Sequence, residues 1–198
     1  MIRRRIQLVL FVVAGVTAAW VAYGSVRAAI YREVNIARIE NTPMPAPLPA
    51  RTVVVADPKA ADEDDGLGPD GVVGVLEIPR LKLSEVVASG EDDKTLKVAI
   101  GHLLDTPLPW AQGNSVLAAH RDTHFRPLRD IRQGDLVRLK TRKGVFEYSV
   151  KDTMIVAPTD VWVMSPSEER RLTLITCYPF NYVGSAPQRF VVTAEAKQ

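Results

Sequence analysis

The sequence predicts an all-β domain, a closed barrel of seven or eight short strands with short helices, placed behind an N-terminal transmembrane helix. Two observations support this fold class. Residues 6–26 contain no charged side chain, whereas residues 71–198 contain short β-branched and aromatic runs separated by glycine, proline and polar turns. Runs of this kind at regular spacing are typical of barrels and sandwiches, and we favour the barrel.

The N-terminal apolar segment is long enough to cross a membrane. Its 21 residues, 6–26, reach across about 30 Å of hydrocarbon as a helix. Residues 3–5 are all arginine, and arginine clusters stay on the cytoplasmic side of a membrane. We therefore expect residues 1–5 to be a cytoplasmic tail of a single-pass plasma (inner) membrane protein, with the rest of the chain extracytoplasmic. Trp20 and Tyr23 lie near the far end, where aromatic rings prefer the interface.

The alternative for this segment is a cleaved signal peptide. The apolar core of a signal peptide is usually about 7–15 residues long. The run here is longer, and it continues into a segment with a helical repeat at Ile30, Val34 and Ala37. An uncleaved signal anchor is therefore favoured, and both interpretations export the remaining chain.

Residues 27–70 are predicted to form a helical stalk followed by a proline-rich and acidic linker. Residues 41–52 hold four prolines and suit an extended spacer. The segment after them has too few apolar residues to fold alone. Its acidic run at 62–65 lacks the alternating ligand spacing and the late glutamate of a calcium loop, so a solvated linker is the better interpretation. The folded domain is predicted over residues 71–198.

The elements of this domain follow from its apolar runs. VVGVLEIP and LKLSEVVAS are two β-branched runs divided at Pro79, and NSVLAAH is a third. A meander follows, with a turn at Lys143 and with Phe146, Tyr148 and Val150 on one face. RRLTLITC and QRFVVTAEA complete the strands. Short helical turns are predicted at EDDKTLKVAIGHL and SPSEERR.

The chain contains a single cysteine, Cys177, at the end of the run LTLITC. In an exported protein such a cysteine is either a buried apolar side chain or a reactive thiol. A reactive thiol needs a base or a nearby cation. His120 is the best placed base, because it follows a strand-like run and a strand end can hold a side chain toward a groove. His124 lies in less regular sequence, and His102 lies in a predicted helical turn.

Charge and histidine spacing argue against other functions. The net charge of +2 is too small to indicate a nucleic-acid partner. His120 and His124 form an H-x-x-x-H pattern, but the zincin version requires glutamate directly after the first histidine. That position is Arg121. We therefore expect no metal and no other cofactor.

At these residues the chain resembles the sortase family of cysteine transpeptidases, over nearly all of residues 71–198. The run TLITC, residues 173–177, resembles the family's TLxTC strand that carries the nucleophile. His120 and Arg189 resemble the family's histidine and its arginine at the start of the last strand. HRDTHFRPLRDIRQGD and TCYPFNYVGSAPQRFVV most resemble class D sortases and their Gram-negative relatives. Many relatives have glycine where this chain has Ala119.

The resemblance implies a sortase-type barrel and a thioester mechanism. Cys177 would attack an LPxTG-like sorting motif of an exported protein, and His120 would act as general acid and base. Arg189 would stabilise the oxyanion or position the substrate, and Thr176 would contribute to substrate binding. An amine at the cell surface would then accept the acyl group, which anchors a surface protein. The sorting motif and the acceptor are left open.

Other functions remain open at this point. An exported cysteine hydrolase or peptidase of the same fold would pass the thioester to water instead of an amine. A non-catalytic, membrane-anchored β-barrel binding module would keep Cys177 as a core side chain. A cell-wall L,D-transpeptidase would require a serine-x-glycine-cysteine segment, which LITCYPF lacks.

Overall fold

The computed structural model of the chain describes residues 2–41, 66–68, 71–182 and 184–197, and the linker with its acidic run lies largely outside them. The described residues contain two α-helices, eight strands and three 3₁₀ turns. In chain order these are α1 (Ile2–Glu40), β1 (Val72–Ile78), a 3₁₀ turn (Pro79–Leu81), β2 (Leu83–Ser89), α2 (Asp93–Leu96), β3 (Ile100–His102), β4 (Asn114–Ala118), a 3₁₀ turn (Arg126–Asp130), β5 (Leu136–Thr141), β6 (Gly144–Val156), a 3₁₀ turn (Val161–Met164), β7 (Arg171–Tyr178) and β8 (Gln188–Ala196).

The strands close into one barrel in the order β1-β2-β3-β4-β7-β8-β6-β5, which confirms the predicted all-β barrel. β2 with β3 and β4 with β7 are parallel pairs, and the other neighbouring pairs are antiparallel. These directions bring the carboxyl ends of β1, β4, β6 and β7 to the same end of the barrel as the amino ends of β2, β3, β5 and β8. We call this the Cys177 end, because β7 finishes there.

Alternation along the strands fills the barrel with apolar side chains. Phe146, Tyr148 and Val150 share one face of β6 as predicted, and this face points into the core, as does Leu174 of β7. Burial raises the pKa of Tyr148. Its hydroxyl donates a hydrogen bond of 3.1 Å to the carbonyl oxygen of Pro109. This bond offsets the cost of burying the hydroxyl.

The loop of residues 121–135 closes the Cys177 end of the barrel. Phe125 and Leu128 are fully buried in the core. Arg80 donates from Nε and Nη2 to the two carboxylate oxygens of Asp135, at 2.5 and 2.6 Å. Hydrogen bonding from Arg80 holds the pKa of Asp135 below its usual range. Apolar packing and this two-point ion pair together fix the loop on the strand ends.

The two predicted helical turns are wrong in part. Within EDDKTLKVAIGHL only Asp93–Leu96 is helical, and Ile100–His102 forms β3 because it pairs with both β2 and β4. SPSEERR is not helical, and a 3₁₀ turn precedes it at Val161–Met164. The carbonyl oxygen of Ser165, which would begin a helix there, accepts a hydrogen bond of 3.1 Å from the Asn114 side chain instead.

Helix α1 is continuous from Ile2 to Glu40. Its stretch Leu10–Glu40 is, within the described residues, long and apolar enough to cross a membrane. The helix therefore contains the predicted anchor and extends well beyond it. The division of the chain into tail, anchor, stalk with linker, and catalytic domain stays a prediction.

The last three turns of α1 lie on the outside of β1 and β2, a contact that we call the helix seam. Ile39 is buried there, and Arg32 lies 3.5 Å from Glu85. The predicted repeat does not supply this contact, because Ile30 and Val34 are exposed. The other apolar residues of the seam are Tyr31, Ile36, Val72, Val75, Val86, Ala88, Val98 and Ala99.

Candidate functional site

The predicted nucleophile and the predicted arginine lie opposite each other on neighbouring strands. Cys177 of β7 pairs with Arg189 of β8 in an antiparallel register. Directly opposite residues of such a pair project to the same face, with Cβ atoms about 4.5–5.5 Å apart. Both residues are half-buried. Cys177 and Arg189 are therefore neighbouring positions on one face of the sheet, and both are partly accessible to solvent.

The parallel pairing of β4 with β7 brings His120 to the same place. Ala118 pairs with Ile175, and the backbone N–H of Ala119 still donates to the Ile175 carbonyl oxygen at 3.3 Å. His120 follows Ala119 directly, so the chain that leaves β4 carries it toward the end of β7 where Cys177 lies. His120 is exposed.

Thr176 points to the opposite face from Cys177. Alternation turns its side chain toward the interior, where it is 3% exposed. Its hydroxyl donates a hydrogen bond of 2.7 Å to the carbonyl oxygen of Ala119. The hydroxyl thus joins the nucleophile strand to the residue that precedes His120. A contribution of Thr176 to substrate binding stays a prediction.

Arg189 is held at the start of β8 by its own loop. Its Nη1 donates to the carbonyl oxygens of Ala186 and Gln188, at 3.3 and 3.0 Å. A guanidinium carries five N–H donors. These two contacts therefore leave it able to bind an oxyanion as well.

The other two histidines are engaged elsewhere. His102 lies opposite the core residue Leu117 and is 2% exposed, with Nε2 at 3.1 Å from the Pro107 carbonyl oxygen. Burial lowers the pKa of His102. His124 Nδ1 lies 3.0 Å from a carboxylate oxygen of Glu85. Both imidazoles therefore have partners other than the thiol.

Arg121, which directly follows His120, contacts the loop between β7 and β8. Its Nη2 donates to the carbonyl oxygens of Tyr182 and Gly184, at 2.6 and 3.1 Å. Its guanidinium carbon lies 5.9 Å from the centre of the Tyr182 ring. Arg121 thus ties the histidine segment to the loop that connects the nucleophile to the arginine. Sequence reasoning missed this role, since the acceptors are 61 and 63 positions away.

Three aromatic rings pack where β7 ends and β8 begins. The ring centres of Tyr178, Phe180 and Phe190 lie 5.3–6.3 Å apart. Phe180 and Phe190 also pack against the barrel core. The backbone on the carboxyl side of Cys177 is therefore supported by buried aromatic area.

The arrangement suits nucleophilic acyl chemistry. It combines a thiol, an imidazole able to carry a proton and a permanently charged donor on one accessible face. Within the part of the chain that the structure describes, no three His, Cys, Asp or Glu side chains are grouped to hold a metal ion. The chemistry available from these residues is that of a thiol nucleophile with an acid–base partner.

Curated relatives of the chain are sortases. It is 38% identical to Sortase D of Bacillus subtilis over 120 residues, which cover 60% of this chain and 61% of that protein. It is 29% identical to Sortase A of Listeria monocytogenes over 155 residues, 76% of this chain and 65% of that protein. The chain thus matches less than two thirds of the length of either relative.

Solved structures and a family model agree with these relatives. A Clostridium perfringens Sortase D5, described as a transpeptidase, is 25% identical with a TM-score of 0.59, covering 65% of this chain and 80% of that chain. Listeria monocytogenes sortase A is 27% identical with a TM-score of 0.59, covering 65% and 89%. The sortase domain model matches residues 76–197, more than half of the sequence. The chain belongs to the sortase family.

Proposed function

We propose that this protein is a membrane-anchored cysteine transpeptidase that cleaves an LPxTG-like sorting motif and transfers the acyl group to an amine. The observation that carries the proposal is the pairing of Cys177 with Arg189 on a sortase-family barrel, and the parallel register of β4 with β7, which leads the chain toward His120 near the same strand end, supports it. A core cysteine would not need an exposed histidine and a guanidinium beside it. The half-buried thiol therefore supports the enzyme over the non-catalytic binding module.

The first half of the reaction forms a thioester. The Cys177 thiolate attacks the threonine carbonyl carbon of the motif and gives a tetrahedral oxyanion. When this collapses, the carbon–nitrogen bond to glycine breaks, and the imidazolium of His120 gives its proton to the departing amine. The Thr176–Ala119 hydrogen bond keeps the histidine segment in register with the thiol during this step.

The second half transfers the acyl group. An incoming amine attacks the thioester, and His120 accepts its proton while the Cys177 thiolate departs. Arg189 donates to the oxyanion in both halves, because its guanidinium lies on the same face as the thiol. If water attacks instead, the same residues produce hydrolysis.

The proposed location follows from α1 and the arginines that precede its apolar run. The N-terminus lies in the cytoplasm, one helix crosses the plasma (inner) membrane, and the barrel lies on the extracytoplasmic side. The length and composition of Leu10–Glu40 support the membrane-spanning helix of this arrangement. The partners are then an exported protein with a sorting signal and an amine acceptor at the cell surface.

The test uses the full chain in detergent or nanodiscs with a panel of LPxTG-like peptides, with and without a small amine. Mass spectrometry should detect a thioacyl adduct on Cys177 and, when the amine is present, a product joined to it. The variant Cys177→Ala should give neither. Arg126→Ala, a change at an exposed position of the neighbouring loop, serves as the matched control and should retain both.

The outcomes separate the candidate functions. An adduct with only a hydrolysed product in the presence of several amines would favour the hydrolase. Absence of an adduct with every peptide, together with slow alkylation of the thiol, would contradict the enzyme and favour the binding module.

A further inference from the structure

Helix α1 passes the barrel in a defined direction. Arg32 reaches Glu85, which lies near the amino end of β2 and thus at the Cys177 end. Ile39, seven residues later, is buried against Val72 at the amino end of β1, which is the opposite end. Ile39 also lines a cavity of about 320 Å³ with Arg142 of the β5–β6 turn, which lies at that same opposite end. The part of α1 that precedes Arg32 therefore projects from the Cys177 end.

The length of helix between the barrel and the uncharged run is short. Arg32 lies six positions after residue 26, the last of that run. At a rise of 1.5 Å per residue, six steps span roughly 9 Å. If a membrane encloses residues 6–26, its near surface lies about 10 Å from Glu85, measured along α1. This surface is on the same side of the barrel as the Cys177 end.

The surface at this end is rich in cations. We call residues 79–82 and 121–135 the basic rim, because they carry six arginine or lysine residues against three aspartates. Arg126, Arg129 and Arg132 are exposed. Arg80 is paired with Asp135. Lys82, Asp122 and Asp130 are also exposed, so apart from that pair the rim carries four exposed cations against two exposed aspartates. The remaining charged member is Arg121.

We propose that the Cys177 end of the barrel faces the membrane and that the basic rim lies against anionic phospholipid headgroups. The direction of α1 and the charge of the rim support this independently. The proposal rests on the proposed function, because α1 must span the membrane. Its consequence is that a sorting signal still held near the membrane meets Cys177 close to the headgroups.

The lone cysteine of the chain makes the orientation measurable. The full chain in nanodiscs is labelled at Cys177 with a maleimide fluorophore, and energy transfer to an acceptor on the lipid headgroups gives its height. The comparison is Cys177→Ala with Arg142→Cys, which moves the label to the β5–β6 turn. Since eight strand residues rise about 26 Å, we expect the Cys177 label to lie roughly 20 Å closer to the headgroups. If the two labels lie at equal distances from the headgroups, or if the label at position 142 lies closer to them, the proposed orientation is wrong.

A second measurement addresses the lipid contact. The double variant Arg126→Glu with Arg129→Glu should reduce fluorescence energy transfer from the Cys177 label to the headgroup acceptor in nanodiscs that contain anionic lipid. In nanodiscs of zwitterionic lipid the energy transfer should not change. Lys151→Glu with Lys197→Glu makes the same charge change at exposed positions outside the rim and should have no effect. No change in the rim variant, or an equal change in both variants, would overturn the contact with anionic headgroups.

Failure of this inference can be told from failure of the proposed function. The peptide assay on unlabelled protein reports the enzyme, and flotation with vesicles reports the anchor. A chain that floats and transfers acyl groups but carries its Cys177 label far from the headgroups contradicts only the orientation. A chain that does not float contradicts the membrane anchor on which the orientation depends.

Discussion

The helix seam and the proposed catalytic face, which carries Cys177, His120 and Arg189, are both outer surfaces of the same barrel, and they differ in what covers them. We call the second surface the catalytic face below. At the seam, Val86 and Ala88 point outward and are almost completely buried, because α1 lies on them. On the catalytic face none of the helices that the structure describes covers the strands, and Cys177 is half-buried while His120 is exposed. The alternation of the strands produces both surfaces alike. Coverage by the helix makes one a packing interface and leaves the other open to substrate.

The two regions are also held together by different interactions. The seam depends on burial of apolar area, which is non-directional. The catalytic face depends on hydrogen bonds between segments distant in sequence, above all from Thr176 to Ala119 and from Arg121 to the β7–β8 loop. Such bonds contribute little net stability but fix direction. We therefore expect changes at the catalytic face to act on rate and changes at the seam to act on stability.

Among changes that leave Cys177, His120 and Arg189 in place, the largest expected effect comes from Arg121→Ala. Loss of its hydrogen bonds to Tyr182 and Gly184 frees the histidine segment from the β7–β8 loop. Because misplacement of a catalytic group by about 1 Å can lower a rate about 100-fold, we expect a fall of that order in kcat with a smaller change in KM. Steady-state transfer kinetics on the peptide measure it.

The control for this prediction is Arg126→Ala, which removes an exposed arginine from the same loop. Arg121→Lys should recover part of the rate, since an ammonium can donate to one carbonyl oxygen but cannot reproduce a planar guanidinium. If the denaturation midpoint falls in proportion to kcat, Arg121 acts through stability. The expectation that changes at the catalytic face act on rate would then be wrong.

Much of the barrel was predictable because strand periodicity is local. Phe146, Tyr148 and Val150 alternate with polar residues, and a period of two assigns them to one face without knowledge of partners. β3 was missed because Ile100–His102 is too short to show a period. It is a strand only because β2 and β4 flank it.

The site was predictable to the extent that its residues form a recognisable motif. Cys177 and His120 could be placed at strand ends from the runs that precede them. The contacts of Thr176 and Arg121 could not, since each depends on the register between strands far apart in sequence. The seam was missed for a similar reason. A helix that is apolar on several sides does not specify which side meets the barrel.

A smaller effect is expected at the seam, from Ile39→Ala. Ile39 is 7% exposed, and truncation of a buried isoleucine costs about 2 kcal/mol or more. We expect the free energy of unfolding to fall by about 2 kcal/mol, at the low end of this range, because only one side of α1 is covered. The rate on soluble peptides should not change. Denaturant unfolding of the full chain in detergent measures the loss.

Ile30→Ala, which truncates an isoleucine that is 58% exposed on the same helix, should change stability by less than about 0.5 kcal/mol. Equal effects of the two variants would mean that the seam does not stabilise the fold.

The smallest expected effect is that of Arg32→Ala, which removes the ion pair with Glu85. The Arg32 side chain is 44% exposed, and pairs of this kind contribute less than about 1 kcal/mol. Glu85 keeps its contact with His124, so no buried carboxylate is left without a partner. We expect a loss below about 0.5 kcal/mol that disappears at high salt, with Arg27→Ala as the exposed control on the same helix. A loss that exceeds that of Ile39→Ala, measured in the same unfolding experiment, would show that charge and not apolar burial holds α1 to the barrel. Both surfaces would then be held by polar interactions, and they would differ only in whether a helix covers them.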